Sequence, residues 1–448
     1  MTKLMHITLS LRVIFLFALM SMVVACSTSK KSKDKVQIIK GDDENKGKEP
    51  TPTKVDTVIS TPKVVDPVKD KDPKMGPADY IKQTYRIALL FPLDASSGVI
   101  DNRENLRFIQ YYGGVKLAGQ KLEELGSKFE IDVIDTKEGI YRSSLQKKWD
   151  LIIGPYASAS SESTKNDLQT VMNFGKENQI PVVSPWYSTS KASEANPYYI
   201  QLKPNIREHY NSIIEHVVQS GLSDQVVLVG RDNGSDIKWF DYFQQVAKAH
   251  LPKKGDRPFA EILVKEATLV EKNDVFKSKI DAGKTVFIFP NYSYNDENYL
   301  VAAMTKLLGE RNNKNVTVYG MPFILDSEKI GFQFYSGLKM RLVVPDFVEK
   351  ENDKVKEFNR NFYQQYKTIP AADAFEGYDV MTFLGNALIK YGKNFTPSLQ
   401  KEKDYLLQTS YDVRPVYEEG DDSFSKIQFY ENKHLNIIEF RGNKFVRL

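Results

Sequence analysis

"RIALLFPL" (residues 86–93) is an apolar run closed near its end by a proline, and "RFIQYYGGVKLAGQKL" (107–122) follows it with a different period. The first run is short, bounded and apolar at successive positions, which predicts a strand buried on both faces. Around the second, Phe108, Tyr112, Val115, Ala118, Leu122 and Leu125 recur at spacings of three and four, which predicts an amphipathic helix over 104–125. A buried strand feeding a covering helix is the unit of a parallel sheet. The fold turns on whether that unit repeats.

It repeats twice over. "FEIDVIDT" (129–136) alternates as a strand, "DLIIGP" (150–155) is another buried run, and a helix over 162–177 leads to "IPVVSP" (180–185). The alternation restarts with a helix over 206–219, then "QVVLVGR" (225–231), a helix over 236–250 and "FAEILVKEA" (259–267). A helix over 273–282, "TVFIFPN" (285–291), a helix over 294–309 and "NVTVYGMPF" (315–323) complete the second series. Two such series with no long linker between them predict an α/β protein of two doubly wound, Rossmann-like lobes.

What precedes the first strand has another character. Lys3 and Arg12 give a basic region ahead of "VIFLFALMSMVV" (Val13–Val24), an apolar core too short for a stable membrane-spanning helix and typical of a signal peptide. It runs into Val23-Val24-Ala25-Cys26, which resembles the bacterial lipobox. That resemblance implies removal of residues 1–25 and acylation of Cys26, the one cysteine of the 448-residue chain; several acyl chains make a durable anchor where one does not. Ser27, in place of an aspartate, favours the outer membrane, facing the periplasm. Residues 26–83 mix charge, threonine and six prolines between Pro50 and Pro77 with little periodic apolar content, and predict a disordered tether.

Composition excludes several functions. The 62 basic and 58 acidic residues nearly cancel, with no arginine-rich stripe to suggest nucleic acid. Five scattered histidines, among them His209 and His216, offer no metal-ligand spacing. There is no Gly-x-Ser-x-Gly elbow, His-Glu-x-x-His, P-loop or dinucleotide fingerprint, so neither an enzyme nor a cofactor is expected.

The order of "RIALLFPL", "RFIQYYGGVKLAGQKL", "DLIIGPYASASSEST", "NQIPVVSPWYSTS" and "PYYIQLKP" resembles that of type I periplasmic binding proteins, the superfamily of leucine/isoleucine/valine-binding proteins and receptor ligand-binding regions. "FNRNFYQQYKTIPAADAFEGYDVMTFLGNALIKYG" (358–392) resembles its late segment, where a Tyr-Asp pair opens a long helix. "KIQFYENKHLNIIEFRGNKFVRL" resembles its closing hairpin. The resemblance covers nearly all of 84–448 and implies two lobes joined by three crossovers around a ligand cleft. Lobe one is expected at about 84–203 and 335–405, and lobe two at about 204–334 and 406–448.

Ligands of such sheets bind beyond the carboxyl ends of the strands. Two loops there carry the candidate contacts: Ser158 and Ser160 in the first, and Trp186, Tyr187, Ser188 and Thr189 in the second. Tyr292 is added from lobe two. The resemblance implies that Ser158, Trp186 and Ser188 stand where amino-acid binders hold the ligand carboxylate. Helix capping competes as an account of Ser160 and Ser161, and lobe packing as an account of Trp186 and Tyr187. Amino-acid binders meet the ligand ammonium with acids on lobe two, whereas here Asn205 and the stretch Met321–Leu325 offer none. A buried ammonium without counter-charge is strongly disfavoured, so rings and hydroxyls suited to a sugar, peptide or aromatic acid come forward.

Two functions follow as expectations. The first is a lipid-anchored solute-binding protein that closes on a small molecule and delivers it to a transporter permease or a sensor. The second is an outer-membrane lipoprotein that regulates cell-wall synthesis by contacting a peptidoglycan synthase. Fold resemblance alone does not choose between them.

Overall fold

The computed structural model describes residues 82–95, 103–189, 195–221, 225–417 and 426–448. Cys26, the apolar N-terminal segment and the proline-rich stretch lie outside them. Among the described residues no helix is long and apolar enough to cross a membrane.

The first sheet contains β1 (Thr84–Phe91), β2 (Lys128–Asp135), β3 (Leu151–Ile153), β4 (Val182–Ser184), β5 (Tyr199–Gln201), β11 (Val413–Tyr417) and β12 (Ile427–Asn432). Its order is β11-β12-β5-β4-β3-β1-β2, parallel except where β11 pairs antiparallel with β12. The second contains β6 (Gln225–Arg231), β7 (Ala260–Val264), β8 (Thr285–Ile288), β9 (Val316–Gly320), β10 (Arg341–Val344), β13 (Asn436–Arg441) and β14 (Lys444–Arg447), in the order β14-β13-β10-β9-β8-β6-β7. Here β13 is antiparallel to both of its neighbours.

Strand β1 shows why its residues are apolar at successive positions. Ile87, Leu89 and Phe91 face a core shared with helices Arg103–Glu123 and Ala372–Tyr391, while Ala88 and Leu90 face Leu168, Val171 and Met172 of helix Glu162–Asn178. Successive side chains point to opposite faces, and both faces are covered.

Helices Arg103–Glu123 and Ala372–Tyr391 touch backbone to backbone. A Cβ on Gly114 would stand 2.0 Å from the Ala374 carbonyl oxygen, and one on Gly377 2.1 Å from that of Tyr111. Only residues without a side chain permit this approach. It also brings Arg107 of one helix to Asp373 of the other, with Nε donating to Oδ1 at 3.1 Å.

Three connections pass between the sheets, but two lie elsewhere than the sequence suggests. The first follows β5, at the expected place. The second follows β10 rather than position 335, because β10 pairs in parallel with β9 and so extends the second lobe's sheet. The third lies between Asn432 and Asn436 rather than at 406, because β11 and β12 close the first lobe's sheet. The expected hairpin across "YENKHLNII" is therefore a crossover; the final hairpin is β13–β14.

The first and third crossovers are tied together. Glu431 Oε1 accepts from Gln201 Nε2 at 2.8 Å and from Asn205 Nδ2 at 2.7 Å. Lys433 pairs with both Glu431 and Glu208. Asn205 also caps helix Ile206–Ser220, accepting from Arg207 N at 2.8 Å. The position where an acid is expected by analogy therefore has a structural occupation.

Candidate functional site

The loop after β3 is a polar turn feeding a helix. Ser161 is the N-cap of Glu162–Asn178, accepting from Thr164 N. Capping thus accounts for Ser161. Ser158 N–H donates to Thr164 Oγ1 at 3.0 Å, and the Ser158 and Ser160 hydroxyls share a hydrogen bond of 2.9 Å. Ser158 is half-buried and Ser160 exposed.

The loop after β4 divides between two faces. Tyr187 leans on the outer core with Ile134 and Ile140, and its N–H donates to Ser184 Oγ at 3.3 Å. Thr189 N–H donates to Gln201 Oε1 at 2.7 Å, and Ser188 is half-buried beside it. Trp186 turns the other way. It is 8% exposed and packs against Tyr111 at 4.9 Å, Phe108 at 5.7 Å and Tyr156 at 6.0 Å between ring centroids. Its ring is part of the core, so packing rather than a free stacking platform accounts for it. Its indole Nε1 donates to Glu376 Oε2 at 3.1 Å.

Glu376 leads to a group of charges the sequence reading passed over. Among the described residues its carboxyl has one hydrogen-bond donor, Trp186. Burial, followed by the nearby charges of Asp373 and Asp346, pushes its pKa up to about 8, against the opposing pull of Arg107. Lys203, on the first crossover, is half-buried and has no hydrogen-bond or ion-pair partner among the described residues. Loss of water lowers its pKa, and Glu376 and Asp346 pull it back up. Asp346, on the second crossover, is open to water on one side and is likewise unpaired among the described residues. Its pKa is raised first by burial, with Lys203 opposing and Asp326 and Asp373 reinforcing. Arg107 lies over the rings of Phe108 at 5.2 Å and Tyr156 at 5.5 Å.

Lobe two contributes Tyr292, half-buried and edge-on to Trp239 at 5.8 Å. Tyr294 packs on Phe323 and its hydroxyl donates to Asp326 Oδ2 at 3.3 Å. Met321–Leu325 carry no carboxylate, but the next residue does. Asp326 stands close enough to Asp346 to oppose its ionisation. The charges therefore come from lobe one (Arg107, Asp373, Glu376), two crossovers (Lys203, Asp346) and lobe two (Asp326). The signal that could have found them was polar residues beside the crossovers and at the start of a buried helix; without the crossover positions it is faint.

Two lobes, each a parallel sheet closed by antiparallel strands, with three connections and charged groups gathered where they meet, define a two-lobed α/β binding-protein fold. No family model and no curated protein matches the chain. Among solved structures, a proposed branched-chain amino acid ABC transporter protein from Rhodospirillum rubrum superposes with a TM-score of 0.51 at 15% identity, over 82% of this chain and 100% of that one. The substrate-binding protein of an ABC transporter from Desulfitobacterium hafniense, in complex with Leu, gives 0.47 at 11% identity, over 82% and 100%. A solute-binding protein from R. palustris, in complex with benzoate, gives 0.41 at 12%, over 82% and 95%. The fold is that of the type I periplasmic binding proteins.

Proposed function

We propose that this chain is an extracytoplasmic solute-binding protein whose lobes close on a small ligand, for ABC-type transport or sensing, and that lipid on Cys26 anchors it to the outer membrane facing the periplasm. The observation that carries this reading is the meeting of Lys203, Asp346 and Glu376 where the lobes join. Two of them lack a protein partner among the described residues, and the third has a single donor. Lys203 and Glu376, half-buried and short of hydrogen-bond partners among the described residues, lose free energy that a ligand restores. Ser158, Ser160, Ser188, Thr189 and Tyr292, partly exposed on strand-end loops, are the proposed further contacts. Trp186 and Tyr187 act behind them as support.

Native mass spectrometry of the purified protein tests the reading. A stoichiometric small molecule, lost on unfolding, is the expected result. An empty cleft, no thermal stabilisation by metabolite extract and capture of a peptidoglycan synthase would support the regulator instead. For the anchor, Cys26→Ser should abolish metabolic labelling by a fatty-acid analogue. Label persisting in the variant would refute lipidation at this residue.

A further inference from the structure

We propose, resting on the reading of two lobes that close on a ligand, that Tyr405–Thr409 is a clasp across the hinge. Asp379 holds it to lobe one, Arg447 grips it from lobe two, and together they restrain the rotation of the lobes.

Covalently the segment belongs to lobe one, between helix Ala372–Tyr391 and β11. Asp379, buried in that helix, accepts from Leu407 N at 2.9 Å and from Gln408 N at 3.0 Å, one bond to each oxygen. Leu407 packs with Phe358, Phe362 and Phe375, which fixes the same end. From there the segment reaches the second crossover. The Gln408 carbonyl accepts from Phe347 N at 2.8 Å, and Thr409 Oγ1 donates to the Pro345 carbonyl at 2.9 Å. It reaches the third crossover through Asn436, whose Nδ2 donates to the Gln408 and Pro345 carbonyls, at 3.3 Å from each. The Tyr405 hydroxyl closes the group, 2.8 Å from the Gln408 carbonyl and 3.2 Å from Asn436 Oδ1.

The other grip comes from the last strand. Arg447 of β14 lays its guanidinium over the Tyr405 ring, 3.5 Å from the centroid, and its Nε pairs with Glu349 Oε1 at 3.2 Å. One cation of lobe two thus spans the clasp and the second crossover, held by stacking on one side and by charge on the other.

Hinge motion is absorbed by a few residues whose φ and ψ are free to change. Pro345, Phe347 and Asn436 share hydrogen bonds with Gln408 and Thr409, both buried, so turning at either crossover breaks bonds in an enclosed network. Glu431 and Lys433 already tie the first crossover to the third; the clasp joins the second to them. Asp379 is then a positioning residue, acting on the hinge through the backbone of Leu407 and Gln408.

Double electron–electron resonance between labels on the two lobes tests the clasp without a ligand. The full chain carries Cys26→Ser, so that only Gln120→Cys in lobe one and Lys253→Cys in lobe two, both at exposed positions, take the label. Arg447, half-buried at the end of the chain, is the variant that disturbs folding least. Arg447→Met should widen the distance distribution about two-fold and speed hydrogen exchange of the Phe347 amide about three-fold or more. Asp379→Asn should speed exchange at Leu407 and Gln408 and, through the Gln408 carbonyl, at Phe347. An unchanged Phe347 amide in that variant would confine Asp379 to lobe one and overturn its part in the hinge. A distance distribution of wild-type width in Arg447→Met overturns the clasp, as does exchange that rises throughout both lobes instead of along 345–349 and 405–409. None of these failures touches the solute-binding reading, which is judged by the retained molecule in native mass spectrometry.

Discussion

The indole Nε1 of Trp186 donates to Glu376 Oε2 at 3.1 Å, joining residues 190 positions apart. One partner lies near the start of the loop after a short buried strand; the other lies in the second turn of helix Ala372–Tyr391. The indole ring is surrounded by Phe108, Tyr111 and Tyr156, so only its N–H is left as a polar handle. That handle points at a carboxyl whose other neighbours are mostly acidic.

Trp186 should therefore reveal two separate effects. Trp186→Ala empties a packed site and should lower stability by about 3–5 kcal/mol in chemical denaturation. Trp186→Phe keeps much of the packing and removes the donor, so its main effect should be on Glu376 and on ligand affinity. A melting temperature unchanged in Trp186→Ala would contradict the enclosed position of the ring.

Glu376 predicts a pH dependence of stability. An ordinary glutamate in the unfolded chain releases its proton near 4.5, whereas the folded chain holds it to about 8. Between those values the unfolded state binds fewer protons, so this residue makes stability fall as pH rises, levelling above about 8. Asp379, raised to about 7 by burial despite accepting from Leu407 N and Gln408 N, acts with the same sign. Thermal melts between pH 5 and 8 should show a shallower decline for Glu376→Gln than for wild type, since Asp379 is common to both. Equal slopes would mean that Glu376 ionises normally.

The helix pair around Gly114 and Gly377 is a third test. Gly377→Ala inserts a methyl group where the Tyr111 carbonyl already stands, 2.1 Å from the ideal Cβ. Overpacking of this kind should cost about 1–3 kcal/mol or more. By parting the helices it should also loosen Arg107 from Asp373. Gly119→Ala, on the helix of Gly114 and with its nearest contact at 3.9 Å, should be nearly neutral.

The tie between crossovers is tested at Lys433. Glu431 is 1% exposed, and burial raises its pKa while Lys433 lowers it. Lys433→Met leaves an enclosed carboxyl without its counter-ion, and a loss of about 3–5 kcal/mol is expected in denaturant titration. Adding Glu431→Gln should recover part of that loss, because the side-chain carbonyl still accepts from Gln201 and Asn205. Failure of the second substitution to help would remove charge as the cause.

The amino-acid sequence by itself determined the elements and the fold class. The run over 86–93 and the three-and-four spacing over 104–125 are local patterns, because a strand buried on both faces or a helix covering it must carry that period in its own residues. Strand membership is different. Ile427–Asn432 and Asn436–Arg441 look like two arms of one hairpin, but they pair with β5 and β10 in different sheets. Which edge a strand joins depends on partners far away in the chain, and so the second and third crossovers became visible only in three dimensions. The proposed contacts that a sequence can name lie on strand-end loops, as at Ser158 and Ser188; groups assembled across distance leave no such local sign. Arg107, Lys203, Asp326, Asp346 and Glu376 share no local motif. Only the tertiary structure brought Arg107, Lys203, Asp346 and Glu376 near one another, and Asp326 near Asp346. It also sent Trp186 into one core and its neighbour Tyr187 against the other, as the chain bends after Ser184.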